Sequence, residues 1–242
     1  MTHIAIVSAM QEELAAVLAL MQGQQKKTIA GRDFWHGQLH GRDVVVVLSR
    51  IGKVAAAATA TILIERFGVQ SLVFTGVAGG LHNSVQVGDV VVATEFLQHD
   101  MDASPMFPRF EVPLTGMSRF ATHAGLSQQL MEAVQIALPK VRVHSGLVVS
   151  GDRFVSSSLE SDVLQAALHD ALAVEMEGAA IAQVCADYGI AFAAVRTISD
   201  RADDDAHGDF MAFIQTTASP YSAAIVAALL EPTTPAEVPH RH

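Results

Sequence analysis

Short runs of β-branched apolar residues alternate with helix-patterned stretches along this chain, and that alternation limits its fold more than any other feature. Ile4-Ala5-Ile6-Val7 reads as a buried strand, and Val44 to Leu48, Ser71 to Phe74, Val90 to Ala93, Val141 to Ser150 and Ile190 to Thr197 read as further strands. Gln11 to Met21 has helical spacing, with Leu14, Val17, Leu18 and Met21 on one face. An alanine-rich helix follows Ile51-Gly52-Lys53, runs to Arg66 and stops at Gly68. Leu126 to Leu138, Leu159 to Leu168 and Ala179 to Tyr188 are helical, and Phe210 to Leu230 is a long last helix with a bend expected at Pro220. Phe34-Trp35-His36 and Val44 to Leu48 flank Leu39-His40-Gly41-Arg42 as the arms of a hairpin.

Strands alternating with helices give a single α/β domain over residues 1–231, a central mixed, mostly parallel twisted sheet flanked by helices. Half of the 242 residues are hydrophobic, enough to bury a substantial core. The stretch 232–242 has three prolines and no periodicity and is expected to be a disordered tail. Residues 98–120 hold Pro105, Pro108 and Pro113 with Met106, Phe107 and Phe110 among them. A long apolar loop of this kind is more often functional or interfacial than idle.

A formal net charge of -10 argues against nucleic acid and anionic membrane as partners, but not against a small uncharged ligand. The single cysteine, Cys185, allows no internal disulfide and fits a reducing cytoplasm; it sits on an apolar helix and is expected to be packed. No basic segment precedes the first apolar run, and no apolar stretch is expected to reach the ~18 residues of a membrane span.

Ligands of such sheets bind at the carboxyl ends of the strands. Those ends are Ser8-Ala9-Met10, Thr75 to Gly80, Ser150-Gly151-Asp152 and Ile198-Ser199-Asp200. Thr75 to Gly80 reads as too glycine-rich to be a regular element. From position alone, Glu12 and Glu13 compensate a helix dipole and Asp200 caps a helix. Val174-Glu175-Met176-Glu177 is apolar around two acids, so each carboxylate needs a partner: a structural arginine or a ligand diol. Arg196, late in an apolar strand, needs a carboxylate or a ligand in turn, and Glu175 or Glu177 would serve. There is no Walker loop, no G-x-G-x-x-G and no G-x-S-x-G elbow. His36 with His40, and Asp203-Asp204-Asp205 with His207, read better as exposed turns than as metal sites, and no metal or other cofactor is expected.

Ser8-Ala9-Met10-Gln11-Glu12-Glu13, Ser49-Arg50-Ile51-Gly52-Lys53-Val54, Ala173-Val174-Glu175-Met176-Glu177-Gly178 and Arg196-Thr197-Ile198-Ser199-Asp200 together resemble the 5′-methylthioadenosine/S-adenosylhomocysteine nucleosidases, which have the nucleoside phosphorylase fold. Thr75 to Gly80 and Val149-Ser150-Gly151-Asp152 match as well, in order, from residue 3 to about 230. The resemblance implies hydrolysis of the adenine–ribose bond of 5′-alkylthio nucleosides. It implies Glu13 as the group that activates water and Asp200, beside Ser199, as the acid at adenine N7. Glu177 would grip the ribose hydroxyls, with Met176 against the sugar and Arg196 in the same binding set. Phe154 would stack near adenine, and Val155 would offer it backbone hydrogen bonds. Met10, Ile51, Phe107 and Phe210 would line the apolar 5′ pocket. It also implies a homodimer whose loop near Pro113 reaches the neighbouring pocket.

The chemistry is coherent. The base leaves readily once protonated, so Asp200 should hold a proton although a free aspartate has a pKa of about 3.9. Glu13 must ionise to take a proton from water. Opposed carboxylates on a sugar follow the logic of inverting glycosidases. Three positions depart from the pattern. Val77 stands where some members carry serine in the substrate site, Arg50 stands where a small residue is expected, and Gln11 replaces an acid.

Three rival readings remain. A phosphorylase would need cationic groups around phosphate, and Phe74-Thr75 stands where related phosphorylases carry an arginine; Arg50 leaves some room for it. An aminodeoxyfutalosine nucleosidase would share adenine and ribose. A binding protein on this fold, such as plant bark storage proteins resemble, would not need Glu13, Glu177, Arg196 and Asp200 together.

Overall fold

A computed structural model describes residues 4–203 and 210–232, with Phe210 described for its backbone only. Among the described residues, ten strands form one mixed sheet. The order of elements is β1 (Ile4–Ser8), α1 (Gln11–Leu18), β2 (Gln22–Ile29), β3 (Arg32–Leu39), β4 (Arg42–Leu48), α2 (Lys53–Phe67), β5 (Ser71–Gly80), β6 (Val90–Gln98), β7 (Arg119–Ala121), α3 (Ala124–Ala137), β8 (Val143–Ser150), α4 (Ser158–Ala167), β9 (Ala171–Glu175), α5 (Gly178–Tyr188) and β10 (Ala191–Asp200). The last helical run is α6 (Phe210–Phe213), a π-helical turn (Ile214–Ala218) and α7 (Ser219–Leu230).

The pairings β4–β1–β5–β10 and β6–β8–β9 are parallel. Antiparallel pairs come from the β2–β3–β4 meander, from β7, and from two closures, β10 on β6 and β5 on β9. Those closures join β5, β10, β6, β8 and β9 into a ring. Successive residues of β1 feed opposite faces: Ala5 and Val7 enter the core under α2 and α5, and Ile6 enters the core under α1, α3 and α7. Burial on both faces is why these strands are unbroken apolar runs.

The glycine-rich run 75–80 is strand, not loop. Its backbone is paired by β1, β10 and β9. The glycines serve close approach instead: a Cβ on Gly76 would lie 3.1 Å from Arg196 Nη1, and one on Gly79 would lie 2.9 Å from both Asp200 Oδ1 and Ala202 Cβ. The hairpin forms at His40-Gly41, both with positive φ (50° and 75°), as a two-residue loop between twisted strands requires. β2 carries no apolar alternation because it is a solvent-facing edge strand rich in Gln and Lys.

The helical run from Met211 to Leu230 is, by length and composition, long and apolar enough to cross a membrane, which corrects the expectation that no such stretch exists. In the fold Ile225, Val226 and Leu230 pack against α1 and α3 as core. The change of pitch falls at 214–218, ahead of Pro220, which sits in the first turn of α7 where its missing N–H costs nothing. The expected tail lies, from residue 233, outside the described residues.

Candidate active site

The carboxyl ends of β1, β5 and β10 open onto one largely apolar cavity. Met10, Ile51, Val77, Phe154 and Val155 line it together with Met176, Glu177, Ser199 and Asp200. Ala9, Ala78, Gly79, Arg153, Val174 and Glu175 complete its wall. Nine of the residues singled out from sequence therefore meet in one place, from six separate segments of the chain. Glu13, Arg196 and Phe107 are not among the lining residues, and the side chain of Phe210 lies outside the described residues.

Glu13 is fully buried on the inner face of α1, one turn beyond Met10. The dipole reading drawn from its position fails for it, since a helix-dipole acid normally faces water. One oxygen accepts from Ser222 Oγ at 3.2 Å, and Oε2 has no hydrogen-bond partner among the described residues. Burial pushes its pKa up to about 7, against the pull of the Arg196 charge, the Ser222 hydroxyl and the Met10 N–H. A carboxyl poised there exchanges protons at neutral pH.

Arg196 is 1% exposed and answers the question of the paired acids. Its Nη2 donates to Glu175 Oε2 at 2.8 Å, its Nη1 to the Phe74 carbonyl at 3.4 Å, and its guanidinium lies 3.8 Å over the Phe74 ring. Glu175 also accepts from Gly178 N at 2.8 Å, Glu177 N at 3.2 Å and the Ser150 hydroxyl. That leaves Glu177 free of the arginine. Its Oε1 accepts from the Gly52 N–H at 2.8 Å, at the start of α2, and the Met176 backbone also hydrogen-bonds the carboxyl. Burial, then the neighbouring Glu175, raise its pKa.

Asp200 closes β10 rather than capping a helix. Its Oδ2 accepts from Ser199 Oγ at 2.7 Å and its Oδ1 from Ala202 N at 2.7 Å, which fixes the carboxyl at the cavity wall. The rim is braced by Lys53, whose Nζ reaches Asp100 Oδ1 at 2.6 Å while its backbone N–H reaches Asp152 Oδ1 at 2.7 Å.

Sequence reasoning missed Ser222, 209 residues from Glu13. Two serines in an otherwise apolar helix, Ser219 and Ser222, were the signal available. It also left open which acid Arg196 takes. Arg50 does not enter this cavity; its guanidinium donates to the Gly31 carbonyl and lines a second cavity. His36 is half-buried in β3 and His40 exposed in the turn, and among the described residues no group of three or more His, Cys, Asp or Glu side chains stands together.

Comparison with known proteins identifies the family. The family model described as the phosphorylase superfamily matches residues 3–231. A 5′-methylthioadenosine/S-adenosylhomocysteine nucleosidase of Shewanella denitrificans is 38% identical over 94% of this chain and 98% of its own. The crystal structure of the nucleosidase of that name from Neisseria meningitidis, in complex with methylthio-immucillin-A, superposes with a TM-score of 0.90 at 34% identity, covering 96% of this chain and 99% of that one. A futalosine hydrolase of Helicobacter pylori superposes with a TM-score of 0.87 at 33% identity, covering 94% and 97%. The chain belongs to the 5′-methylthioadenosine/S-adenosylhomocysteine nucleosidase family within the phosphorylase superfamily.

Proposed function

We propose that this chain hydrolyses the N-glycosidic bond of 5′-methylthioadenosine and S-adenosylhomocysteine, releasing adenine and the 5-thio-substituted ribose. The observation that carries the reading is the fixed Asp200 carboxyl and the arginine-free Glu177 carboxyl on one apolar cavity, with Glu13 buried on α1 one turn beyond the cavity-lining Met10. Asp200, oriented by Ser199, gives a proton to adenine N7. Phe154 and the Val155 backbone hold the base. Positive charge then spreads over the ribose as the C1′–N9 bond lengthens. Glu177 accepts hydrogen bonds from the ribose hydroxyls, and Met176 packs under the sugar. Glu13 takes a proton from water as its oxygen bonds to C1′. Arg196 holds Glu175 and, through its charge, favours ionised Glu13. Water supplies the hydroxyl, so the chemistry requires no cofactor.

Met10 and Ile51 form the 5′ side of the cavity, which gives a 5′-hydroxyl no hydrogen bond and so favours an alkylthio group. The active form is a homodimer in which the segment around Pro113, with Phe107, reaches the neighbour's cavity. Exposed Ile51, Val54, Met106 and Leu114 support this, because large apolar side chains of that kind mark interfaces. Buried Cys185 without a disulfide is in keeping with the cytoplasm.

Incubation with methylthioadenosine, with and without phosphate, tests the reaction. Adenine and free methylthioribose at a phosphate-independent rate are expected; methylthioribose 1-phosphate would make the chain a phosphorylase. The likeness to a futalosine hydrolase makes aminodeoxyfutalosine the alternative substrate to run beside it.

A further inference from the structure

Two arginines face a second cavity that the reaction does not use. Arg50 holds φ 65°, a left-handed backbone that side chains with a Cβ adopt at a cost, so its guanidinium is placed there against local preference. Arg32 donates Nη1 to the Ala30 carbonyl at 3.2 Å and Nη2 to the Ala55 carbonyl at 3.3 Å. Its buried Nε has no hydrogen-bond partner among the described residues. Neither guanidinium meets a carboxylate among the described residues. Asp33, on the same wall, is already engaged by Lys26 at 3.2 Å and Thr28 at 2.6 Å. Burial and the charge of Arg50 both lower the pKa of Arg32, the signature of like charges crowded without an anion between them.

The position of this notch gives it a meaning. Arg50 and Gln11 line it, and their chain neighbours Ile51 and Met10 line the active-site cavity. Both cavities open at the carboxyl ends of β1 and β4. Arg50 therefore stands one residue from the cavity-lining Ile51, with Arg32 beside it in the notch. A methylthio group is apolar and offers a guanidinium no partner. A homocysteinyl group carries a carboxylate at its far end, and a planar guanidinium pair is matched to carboxylate geometry.

We propose that Arg32 and Arg50 form an oxyanion notch that binds the amino-acid carboxylate of a homocysteinyl 5′ substituent. The proposal rests on the nucleosidase reading and adds to it a residue-level basis for accepting the longer substrate. The contact lies far from C1′ and is made equally in ground and transition states, so it acts on KM rather than kcat.

The test is steady-state kinetics of Arg50→Gly and Arg32→Met on both substrates. Glycine relieves the backbone at φ 65°, so Arg50→Gly keeps the fold. KM for adenosylhomocysteine should rise roughly tenfold in each variant, the scale of one charge-assisted hydrogen bond at a half-exposed site, while methylthioadenosine turnover is unchanged. The chain's single tryptophan, Trp35, lines the notch and reports occupancy. In an Asp200→Asn background its fluorescence should respond to adenosylhomocysteine and not to methylthioadenosine. An unchanged ratio of the two substrates in both variants overturns the proposal. So does a Trp35 response to inorganic phosphate with that ratio unchanged, which would assign the notch to a free oxyanion. If the unsubstituted chain turns over neither nucleoside, the nucleosidase reading fails and the proposal with it; turnover with an unchanged ratio fails the proposal alone.

Discussion

Glu13→Gln should make the protein more stable at alkaline pH while removing its activity. The argument begins with burial. Glu13 is fully enclosed, and its pKa rises from an ordinary 4.5 to about 7. A carboxyl whose folded pKa lies above its unfolded value binds more protons folded than unfolded between those two pH values, so stability falls as pH rises through that window. At about 1.4 kcal/mol per tenfold change in proton affinity, the full penalty above pH 7 is about 3 kcal/mol. Glutamine keeps an acceptor for Ser222 and cannot ionise. Burying its amide carries a cost of its own, but that cost does not vary with pH. The quantity to measure is the change in the variant-minus-parent difference in unfolding free energy between pH 5 and pH 8, from urea denaturation at one fixed protein concentration. Other titrating groups cancel in that difference. Because pH 5 already lies above the ordinary 4.5, the expected value is a relative gain of about 2–3 kcal/mol for the variant, together with near-complete loss of turnover. Parallel stability–pH curves for the two proteins would refute the reasoning, because Glu13 would then be no less comfortable ionised in the fold than in water. Such a gain is the cost of keeping an ionisable base in a dry site.

Other expectations follow from the same geometry. The kcat/KM profile should rise with pH through about 7 as Glu13 ionises, and Glu13→Asp should distort that limb. Gly79→Ala would put a methyl 2.9 Å from both Asp200 Oδ1 and Ala202 Cβ, so kcat should fall at least tenfold with a stability loss of about 1–3 kcal/mol in a melt. Arg196→Met leaves Glu175 buried without its cation and should cost about 3–5 kcal/mol, measured by denaturation. Cys185 is 1% exposed with a thiol pushed up to about 12, so a thiol reagent should label it only on unfolding.

The parts of the fold set by periodicity were legible in the sequence, and the parts set by distant contacts were not. β1, α2 and the β3–β4 hairpin show their patterns locally, as an apolar run, a glycine stop and a His40-Gly41 turn. β2 did not, because a solvent-facing edge strand buries neither face. The run 75–80 was misread because glycine marks both turns and close approach, and only Arg196 and Asp200, more than 100 residues on, decide between them. β9 offers only a short apolar run ahead of Glu175, and its pairing with β5 and β8 is made by distant strands. The site shows the same division. Resemblance named Asp200 and Glu177, and both lie on the cavity. Position alone gave Glu13 a surface role, since no local pattern reveals that α7 covers it with Ser222. The partner of Arg196 could be narrowed to two acids but chosen only from three-dimensional geometry.

The most direct test of the account is the kcat of Asp200→Asn on methylthioadenosine, with substrate binding measured separately. The account predicts a rate lower by roughly 10²–10⁴-fold with binding retained, since asparagine keeps the shape and the Ala202 contact but supplies no proton. Turnover within a fewfold of the parent would contradict it, and would mean that the base leaves this site without an acid at Asp200.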